Sequence, residues 1–504
     1  MFPVLYEINT RCWLRELSDQ AGHLVTLDNV PQHEFERWQR FGFTHIWLMG
    51  AWKGGPLARA QALAHPSLRQ SYSEVFPNWS ENDVAGSPYA IADYRIAQVF
   101  GGDEEMQSFR EKLHALGMKL ILDFVPNHLG LDHSWASQQP ELFVYSLTQA
   151  PETFPQLTST GTFWLAHGKD PYFAAWTDTI QLDYRREKTQ TAMIELLQSL
   201  AERCDGVRCD MAMLLLSDVF RKTWERFPFS GSPSAAEFWQ AAIPAIKSAN
   251  RDFLFLAEAY WSLESRLLEL GFDYTYDKTL YDRLVRREPA EVQRHLLGSP
   301  SELVARSAHF LENHDEPRIA SLLSLEEHRP AALLILGLPG MRFLHDGQLT
   351  GARRRAPIQL GRCIKEPVQL EIESLYQQIL TSLPATAIGK GGGVLLRPRA
   401  AWPENQTAEN LIVVQWQSEE EQFDLVAVNL APNRSQCYVQ LKIEHLSEHI
   451  WSMKDLLGEE QYQRSGQELV TRGLYLDLPA HGAQLFHFES AMIAVSLLPS
   501  EASS

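Results

Sequence analysis

The chain is short of cysteine and of positive charge. Its five cysteines in 504 residues are scattered and form no C-x-x-C pair, which argues against a disulfide framework and against a cysteine-ligated zinc site. Lysine and arginine number 45 against 63 aspartate and glutamate residues, which gives a formal net charge of −18. Because neutralising phosphates requires an excess of cations, we expect no nucleic-acid partner.

Long apolar runs are absent as well. No uninterrupted stretch approaches the roughly 20 apolar residues that a helix needs to cross a bilayer, so we expect no membrane partner. The first residues, MFPVLYEIN, begin a strand-like run without the basic and apolar segments of a signal peptide. Together with thiols that are expected to stay reduced, this pattern predicts a cytoplasmic protein.

Short apolar runs alternate with amphipathic helical patterns along most of the chain. We predict eight strands, at residues 4–9, 44–49, 119–125, 206–211, 253–259, 272–276, 308–313 and 341–346. Eight such strands with crossover helices favour an α/β fold of the (β/α)8 TIM-barrel type. An open doubly wound sheet is the alternative, but the first strand-to-helix turn lacks the G-x-G-x-x-G pattern of its phosphate-binding turn.

Two parts of the chain interrupt this alternation. After the third strand comes an aromatic-rich stretch, containing GTFWLAHGKDPYFAAWTDT, that has no helical period and is long for a loop. After about residue 385 short strand-like runs with turn residues take over, which is typical of an antiparallel β-sandwich. We therefore predict four parts: the barrel (1–128 and 187–385), an inserted domain after strand 3 (129–186), a C-terminal β-sandwich (386–490) and a tail (491–504).

Polar side chains follow four of the eight strands, where each strand ends. They are Asp123, Asn127 and His128 after the third, Arg208 and Asp210 after the fourth, Glu258 after the fifth, and Asn313, His314 and Asp315 after the seventh. Each cluster alone is compatible with a helix cap, a turn or a structural ion pair. Four clusters at the carboxyl ends of barrel strands favour a common site, because that face carries the active sites of such barrels.

These carboxylates, imidazoles and the arginine are compatible with two chemistries. A metal centre usually needs an H-x-H ligand pair, which the first strand lacks. Glycoside hydrolysis needs one carboxylate at the anomeric carbon and one carboxylic acid at the leaving oxygen. Arg208 is expected to lower the pKa of Asp210, whereas the apolar and aromatic neighbours of Glu258 are expected to raise its pKa. This contrast favours glycoside hydrolysis.

Aromatic residues are frequent in the predicted loops near this face. Sugars present apolar C–H faces that stack on aromatic rings, although most such rings are expected to belong to the core of the inserted domain. Tyr89, in GSPYAIADY, is the best candidate for stacking. The full set is Trp52, Trp79, Tyr89, Trp164, Tyr172, Phe173, Trp176, Tyr260 and Trp261.

The four clusters resemble, in order and in strand position, four short regions shared by the α-amylase family of glycoside hydrolases. The segment TIQLDY at 179–184 resembles a fifth region of that family. The inserted domain and the C-terminal sandwich resemble the domains B and C of the family. The resemblance covers about residues 1–490.

Residue by residue, the resemblance implies roles in a retaining reaction that passes through a covalent glycosyl-enzyme. Asp210 is expected to be the nucleophile, Glu258 the general acid/base, and Asp315 the carboxylate that binds ring hydroxyls and stabilises the transition state. Five further side chains are expected to bind the sugar, orient the nucleophile or support the site: Tyr89, Asp93, His128, Arg208 and His314. Of these, Asp93 is expected to brace the site from behind.

The sequence departs from the family pattern at two places. Met213 and Leu214 stand where many members have a Lys-His pair that helps to hold calcium. Asn127 matches one calcium ligand and would be the metal-binding residue if calcium is present, but we expect no cofactor to be required. The basic run from Arg353 to Arg355 is open to two interpretations, a solvated loop or a site for an acidic or phosphorylated acceptor.

Taken together, the sequence predicts a retaining α-glycosidase, a hydrolase of carbohydrate metabolism that acts on short maltodextrins or small α-glucosides. A transglycosylase with a sugar acceptor is the alternative, since water and sugar attack the same intermediate. A non-catalytic carbohydrate-binding protein is the third possibility, but all three of Asp210, Glu258 and Asp315 are retained. The sequence does not predict the oligomeric state.

Overall fold

The computed structural model describes residues 1–159, 161–229, 236–419 and 421–491. Eight parallel strands pair in chain order, and the last pairs with the first, so that the sheet closes into a barrel. They are β1 (Val4–Asn9), β2 (His45–Met49), β3 (Lys119–Phe124), β4 (Gly206–Cys209), β5 (Leu254–Ala257), β6 (Tyr274–Tyr276), β7 (Ser307–His309) and β8 (Met341–His345). The predicted (β/α)8 barrel is confirmed, and the alternative of an open sheet is wrong.

The barrel strands are buried along nearly their whole length. Every residue of β2, β4, β5 and β8 is buried, as expected for parallel strands covered by helices on one face and by core side chains on the other. This burial explains why the strands read as continuous apolar runs in the sequence rather than as an alternation of polar and apolar residues.

The strands that carry the polar clusters end early. β4, β5 and β7 stop two to four residues before their predicted ends. Asn313 Oδ1 accepts hydrogen bonds from the backbone N–H groups of Asp315 and Glu316, and Met211 adopts a left-handed φ of 44°, neither of which a strand accommodates. Asp210, Glu258 and the residues Asn313 to Asp315 therefore lie just beyond the strands, whereas Asp123 and Arg208 lie within β3 and β4.

Helices form the outer layer of the barrel and the connections around it, except that Trp135–Gln138 lies in the insertion and Gly466–Arg472 in the C-terminal part. The α-helices of the described residues are Thr10–Ala21 (α1), Gln32–Arg40, Pro56–Ala64, Pro66–Val75, Asp103–Ala115, Trp135–Gln138, Glu187–Ala201, Ser217–Trp224, Phe238–Lys247, Glu264–Glu269, Lys278–Val285, Pro289–Gly298, Ser301–Ala305, Ile319–Leu322, Leu325–Gly337, Leu370–Ser382 and Gly466–Arg472.

Short antiparallel strands lie beyond the carboxyl ends of the barrel strands. After β2, Trp52–Gly54 pairs with Ile91–Ile96. Between β3 and β4, the strand His128–Gly130 pairs with Thr179–Gln181, and a three-stranded sheet forms from Tyr145–Ser146, Gly161–Ala166 and Thr153–Thr158. These elements occupy the region of the predicted insertion, 129–186, whose boundaries as a domain stay a prediction.

The C-terminal part consists of two antiparallel sheets. One has six strands, in the order Gly392–Leu396, Leu411–Glu419, Gln422–Asn429, Ala483–Ala491, Ile450–Asp455 and Gln461–Ser465, and the other has Arg399–Ala400, Ser435–Val439 and Leu474–Leu478. A common apolar core fills the space between them and includes the stacked rings of Phe423 and Phe488, 4.2 Å apart. The predicted antiparallel β-domain is confirmed.

This β-domain packs closely against one helix of the barrel, Leu325–Gly337. Most residues of that helix are buried, and the Trp416 Nε1–H group donates to the Gly337 carbonyl at 2.7 Å. A methyl group on Gly337 would lie 2.7 Å from Val426 Cγ2, so glycine allows the close approach. The helix is therefore covered from both sides.

Two further expectations concern the whole chain. None of the described helices is both long enough and apolar enough to cross a membrane. All five cysteines are free thiols, and four of them are buried. The predicted tail, 491–504, lies outside the described residues apart from the backbone of its first residue.

Candidate active site

Asp210 and Glu258 occupy neighbouring positions at the carboxyl end of the barrel. Asp210 directly follows β4, and its N–H group donates to the Phe124 carbonyl at 2.9 Å. Glu258 directly follows β5 and donates its N–H group to the Cys209 carbonyl at 3.1 Å. The hydrogen bonding between neighbouring barrel strands thus continues for one residue beyond β4 and β5, and it holds the backbones of Asp210 and Glu258 in place.

A single buried guanidinium contacts both carboxylates. Arg208 Nη1 lies 2.7 Å from Asp210 Oδ1, and Arg208 Nη2 lies 2.7 Å from Glu258 Oε2. The Arg208 Nε–H group donates to the Tyr276 hydroxyl at 3.3 Å. Because the guanidinium is planar and rigid, these contacts hold the two carboxylates close together on one side of the cleft.

Glu258 receives two further hydrogen bonds. Its Oε2 accepts from the Met211 N–H group at 2.7 Å, and its Oε1 accepts from the Tyr260 hydroxyl at 2.7 Å. Met211 can direct its N–H group there because its backbone is left-handed, which is uncommon for a residue other than glycine. The residue that follows Asp210 thereby helps to hold Glu258.

The predicted rise in the pKa of Glu258 is confirmed, whereas the predicted lowering of the pKa of Asp210 is wrong. Arg208 does not act on Asp210 alone, since it bonds both groups, and Glu258 does not lie in a purely apolar environment. Burial raises the pKa of Asp210 although Arg208 opposes this shift, and burial likewise raises the pKa of Glu258 against the same opposition. Two buried carboxylates that share one guanidinium favour a state in which one of them carries a proton.

His314 and Asp315 extend the site on the side of β7. His314 Nε2 lies 3.0 Å from Asp315 Oδ2 and 2.7 Å from the Tyr89 hydroxyl, and its Nδ1 bonds to Glu7 of β1. Burial opposes the charged ring, but Asp315 and Glu7 raise the pKa of His314 well above its ordinary value. Burial would raise the pKa of Asp315, but His314 lowers it, so Asp315 is ionised.

Tyr89 lies where stacking on a bound sugar is possible. Its ring stacks on His314 at a centroid distance of 5.4 Å, and Arg208 lies 5.3 Å from the ring centroid. Only 8% of Tyr89 is exposed. The predicted stacking residue is therefore in contact with the other polar groups of the site.

The third-strand cluster divides into two parts. Asp123 is buried, accepts from the Gly50 N–H group at 2.8 Å and lies 3.9 Å from Arg208, so it supports the arginine from below. Burial raises the pKa of Asp123 to about 7. His128 packs against Trp176 with a centroid distance of 5.0 Å, and burial lowers its pKa to about 3, so its ring is neutral near pH 7.

Asp93 takes a position that differs from the others. Its Oδ2 lies 3.2 Å from Arg95 Nε, and a third of its side chain is exposed. Asp93 belongs to the hairpin strand Ile91–Ile96 and pairs in register with Lys53. This ion pair at the hairpin surface gives no geometric support to the expectation that Asp93 braces the site from behind.

The basic run after β8, Arg353 to Arg355, contacts the site through its last residue. Arg355 Nη1 donates to the backbone carbonyl of Asp315. Arg353 and Arg354 direct their backbone N–H groups to the carboxylate of Glu366 instead. The run is therefore a structured loop that reaches the edge of the site through its last residue.

Sequence reasoning missed two residues of the site. Glu7 holds His314, and Tyr276 holds Arg208; both are buried in barrel strands. Glu7 left a signal in the sequence, because a glutamate inside the apolar run VLYEIN is costly unless it has a partner. Tyr276 left none, since a tyrosine in a strand is ordinary.

The aromatic residues fall into two groups. Trp52 is fully buried in the barrel core, and its Nε1–H group donates to the Asp123 carbonyl at 2.7 Å. Tyr172 and Trp261 are exposed and contact each other edge to face at 4.9 Å. Trp261 and Ser262 both have left-handed backbones, with φ of 63° and 58°, which hold the indole three residues after Glu258 at the rim.

The side chain of Asn127 does not fit a calcium ligand in this arrangement. Its Oδ1 accepts from Gln181 Nε2 at 3.0 Å, and its Nδ2 donates to Gln181 Oε1 at 3.2 Å. Calcium would require this oxygen to face a ring of oxygen ligands rather than an amide donor. Within the described ranges, no group of three or more His, Cys, Asp or Glu side chains is placed to hold a metal.

Known proteins share this architecture along nearly the whole chain. A noncanonic maltogenic alpha-amylase, AmyB, from Thermotoga neapolitana superposes with a TM-score of 0.67 at 20% identity, covering 97% of this chain and 98% of that one. An alpha-amylase from Geobacillus thermoleovorans, solved with acarbose, gives a TM-score of 0.64 at 18% identity, covering 97% and 98%. At these identities the likeness concerns the fold.

Sequence relatives point the same way. Alpha-amylase 3 from Dictyoglomus thermophilum is 22% identical over 401 residues, which cover 74% of this chain and 69% of that protein. Maltase 1 from Drosophila virilis is 25% identical over 334 residues, which cover 55% and 52%. The alpha-amylase catalytic-domain model of protein families matches residues 73–356, more than half of the chain. The chain belongs to the α-amylase family of glycoside hydrolases.

Proposed function

We propose that this enzyme is a retaining α-glycosidase that cleaves α-glucosidic bonds of short maltodextrins or small α-glucosides. The observation that carries the proposal is the shared guanidinium. Arg208 lies 2.7 Å from both Asp210 and Glu258, so the two carboxylates lie close together. Close carboxylates favour direct attack by one of them, whereas an inverting enzyme needs a wider gap for water.

In the first half of the reaction Asp210 attacks the anomeric carbon. The bond from that carbon to the glycosidic oxygen breaks, and Glu258 transfers its proton to the leaving oxygen. Glu258 Oε1, which contacts the Tyr260 hydroxyl, is the atom that carries the proton, because Oε2 already accepts from Arg208 and Met211. The product is an ester between Asp210 and the sugar.

In the second half Glu258 acts as a base. It removes a proton from water, whose oxygen attacks the anomeric carbon, and the ester bond to Asp210 breaks. The configuration at the anomeric carbon is retained because it inverts twice.

Other side chains bind the sugar that is cleaved. The carboxylate of Asp315, 45% exposed, is free to accept from two ring hydroxyls while His314 holds its Oδ2. His128, whose ring is neutral near pH 7, is assigned a hydrogen bond to a hydroxyl of this sugar. Tyr89 supplies the stacking surface, and Arg208 keeps Asp210 oriented for attack.

The size of the substrate is inferred from the rim and from the relatives. The exposed pair of Tyr172 and Trp261 adds an aromatic surface beyond the cleaved bond, where a second sugar would lie. Relatives of this chain include proteins named maltase, alpha-glucosidase and oligo-1,6-glucosidase, and the chain spans about half the length of the first two. These names support an α-glucoside as substrate.

No calcium requirement is proposed. The side chain of Asn127 is bonded to Gln181, and the side chains of Met213 and Leu214 contain no oxygen that could bind calcium. The free, mostly buried thiols support the proposal that the enzyme works in the cytoplasm, where thiols stay reduced.

A transglycosylase is the second candidate, and the rim pair of Tyr172 and Trp261 supports it as well. An aromatic surface on the leaving-group side would also hold an acceptor sugar while the ester with Asp210 persists. The geometry of the carboxylates is the same in both cases. The two candidates differ only in whether water or a hydroxyl of a second sugar attacks the ester.

Product analysis separates the candidates. Wild type and Asp210→Asn are incubated with maltoheptaose, sucrose, trehalose and isomaltose, and the products are separated by size and followed by NMR. Glucose or shorter dextrins that first appear as the α-anomer are expected for a retaining hydrolase. Products longer than the substrate would establish the transglycosylase, and the β-anomer as first product would refute the retaining mechanism.

A further inference from the structure

A large cavity lies beside α1, apart from the site that contains Asp210 and Glu258. Its volume is about 970 Å³, comparable to sites that hold small metabolites. α1, the hairpin at residues 52–55 and the segment at residues 97–100 form its walls. None of the eight side chains expected in catalysis or sugar binding lines it.

The cavity is positively charged in a protein of net charge −18. Four cations line it, against one carboxylate, Asp19. Asp19 pairs weakly with one of them, Arg15, at 3.9 Å with both side chains about half exposed. The three remaining cations are Arg11, Lys53 and Arg59.

Arg11 is the most informative of these residues. Only 8% of it is exposed, yet among the described residues no carboxylate oxygen lies within 4.0 Å of its guanidinium. Its Nη1–H group donates to the Gly86 carbonyl at 2.6 Å, and the guanidinium borders the cavity. Burial lowers the pKa of Arg11 to about 10, so the group is still charged at neutral pH.

A buried charge without a counter-charge is destabilising, and proteins normally pair it. A bound anion would supply the counter-charge that Arg11 lacks. Arg11, together with Lys53 of the hairpin, therefore has the character of an anion-binding pair.

The remainder of the cavity wall combines polar side chains, Ser18, His23, Asn82 and Gln98, with apolar or small residues. Leu14, Val25, Phe100 and the backbone of Gly54 and Gly55 contribute to it. The volume greatly exceeds that of a phosphate ion, so the space beside the cations would accommodate an uncharged ring with C–H faces. From this combination we propose that the cavity beside α1 binds a phosphorylated sugar, with its phosphate on Arg11 and Lys53.

The cavity is connected to the catalytic site through one stretch of backbone. Arg11 bonds the Gly86 carbonyl, and Arg59 bonds the carbonyls of Val84 and Glu81 at 2.8 and 2.6 Å. This stretch leads directly to Tyr89, which stacks on His314. A ligand on these arginines would therefore lie against the segment that positions Tyr89.

Binding is tested with the full chain by isothermal titration calorimetry. The probes are glucose 6-phosphate, inorganic phosphate and glucose. Each is titrated into the full-length Asp210→Asn variant, which is expected not to cleave maltose, with and without saturating maltose to occupy the catalytic site. The expected result is that glucose 6-phosphate binds at least tenfold more tightly than either of the other two and that maltose does not displace it. Displacement by maltose would place the ligand in the catalytic site and overturn the proposal.

Variants locate the phosphate. Arg11→Gln and Lys53→Gln are each expected to weaken binding of glucose 6-phosphate by about 10-fold or more, since each removes one charged hydrogen bond. Lys53 is exposed, so its variant tests the proposal even if Arg11→Gln fails to fold. Lys222→Gln, at an exposed lysine outside the cavity, is the matched control and is expected to bind like wild type.

Three results would contradict the proposal. The first is the absence of any heat of binding with glucose 6-phosphate at millimolar concentration. The second is binding of glucose 6-phosphate to Lys53→Gln as tightly as to wild type. The third is equal affinity for inorganic phosphate, which would show that the cavity recognises the anion alone and would refute a sugar phosphate as its ligand.

Discussion

Arg208 Nη2 lies 2.7 Å from Glu258 Oε2, although the arginine belongs to the strand that precedes the proposed nucleophile. The arginine thus reaches across from β4 to β5 and ties the proposed acid to the proposed nucleophile. The pair of carboxylates titrates as a unit, because a proton on one changes the charge that the other faces across the same guanidinium. The proposed acid and nucleophile are therefore electrostatically dependent on each other.

Glu258→Gln removes the proton donor while keeping the shape of the side chain. We expect kcat on maltoheptaose to fall by about 10²–10⁴-fold while the variant stays folded at the assay temperature. An α-glucoside with a dinitrophenyl leaving group needs no proton for departure, so its first step is expected to lose far less rate. Glu36→Gln, at an exposed glutamate, is the control. Equal losses on both substrates would contradict the role of Glu258 as acid.

Arg208→Met leaves two buried carboxylates without their cation. We expect the free energy of unfolding to fall by about 3–5 kcal/mol at pH 7, because the two carboxylates stay buried without the cation that compensates their charge. The loss is expected to shrink at pH 5, where Asp210 and Glu258 take up protons more readily. Urea denaturation at both pH values measures this. Arg226→Met, at an arginine whose side chain is 64% exposed, should change stability by less than about 0.5 kcal/mol.

Asp123 makes stability depend on pH in a known direction. Its pKa is about 7 in the folded protein and near 3.8 when unfolded, so the folded state holds the extra proton between these values. The stabilisation from this proton is fully present below pH 3.8 and is lost as the pH rises to about 7. Over that range the free energy of unfolding falls by at most about 1.4 kcal/mol per pH unit. Asp123→Asn lacks this titration. Relative to wild type, the variant should be more stable at pH 8 than at pH 5, and an unchanged difference would show that Asp123 does not titrate.

The exposed pair at the rim is expected to matter for long substrates only. Trp261→Ala and Tyr172→Ala should each raise KM for maltoheptaose by roughly 3–10-fold, as expected for the loss of one stacking contact. KM for p-nitrophenyl α-glucoside should change little, because that substrate does not reach as far. Trp402→Ala, at an exposed tryptophan of the β-domain, is the control. Equal effects on both substrates would argue that the rim pair supports the fold instead.

EDTA is expected to leave both activity and melting temperature unchanged. Asn127 already bonds Gln181, so removal of calcium should not release a ligand. The measurement is the initial rate and a thermal melt after dialysis against EDTA. Inactivation that added calcium reverses would contradict the assignment, and Gln181→Ala would then show whether the amide pair competes with the metal.

Barrel strands and polar clusters were predictable because both follow simple rules. Buried parallel strands read as apolar runs, and the polar residues that end them stand out, as Asp210 and Glu258 do. Contacts between distant strands were not predictable. Glu7 bonds to His314 only because β1 pairs with β8 when the barrel closes. The sequence around either residue gives no sign of that pairing.

That Arg208 contacts both Asp210 and Glu258 could not be predicted from the sequence either. Spacing along one strand suggested an interaction with Asp210, two residues away, whereas the bond to Glu258 depends on the neighbouring strand. The role expected for Asp93 stays a prediction. The family resemblance suggested a role in the site, and the fold places its carboxylate in an ion pair with Arg95.

The helix Leu325–Gly337 has a consequence for how the molecule unfolds. Its apolar surface is covered by the barrel on one side and by the β-domain on the other, with Trp416 bonded to the carbonyl of Gly337. Removing the β-domain would leave a wide apolar surface in water, which favours aggregation. The two parts should therefore melt in one cooperative transition, and an isolated barrel would be a poor starting point for engineering a smaller enzyme.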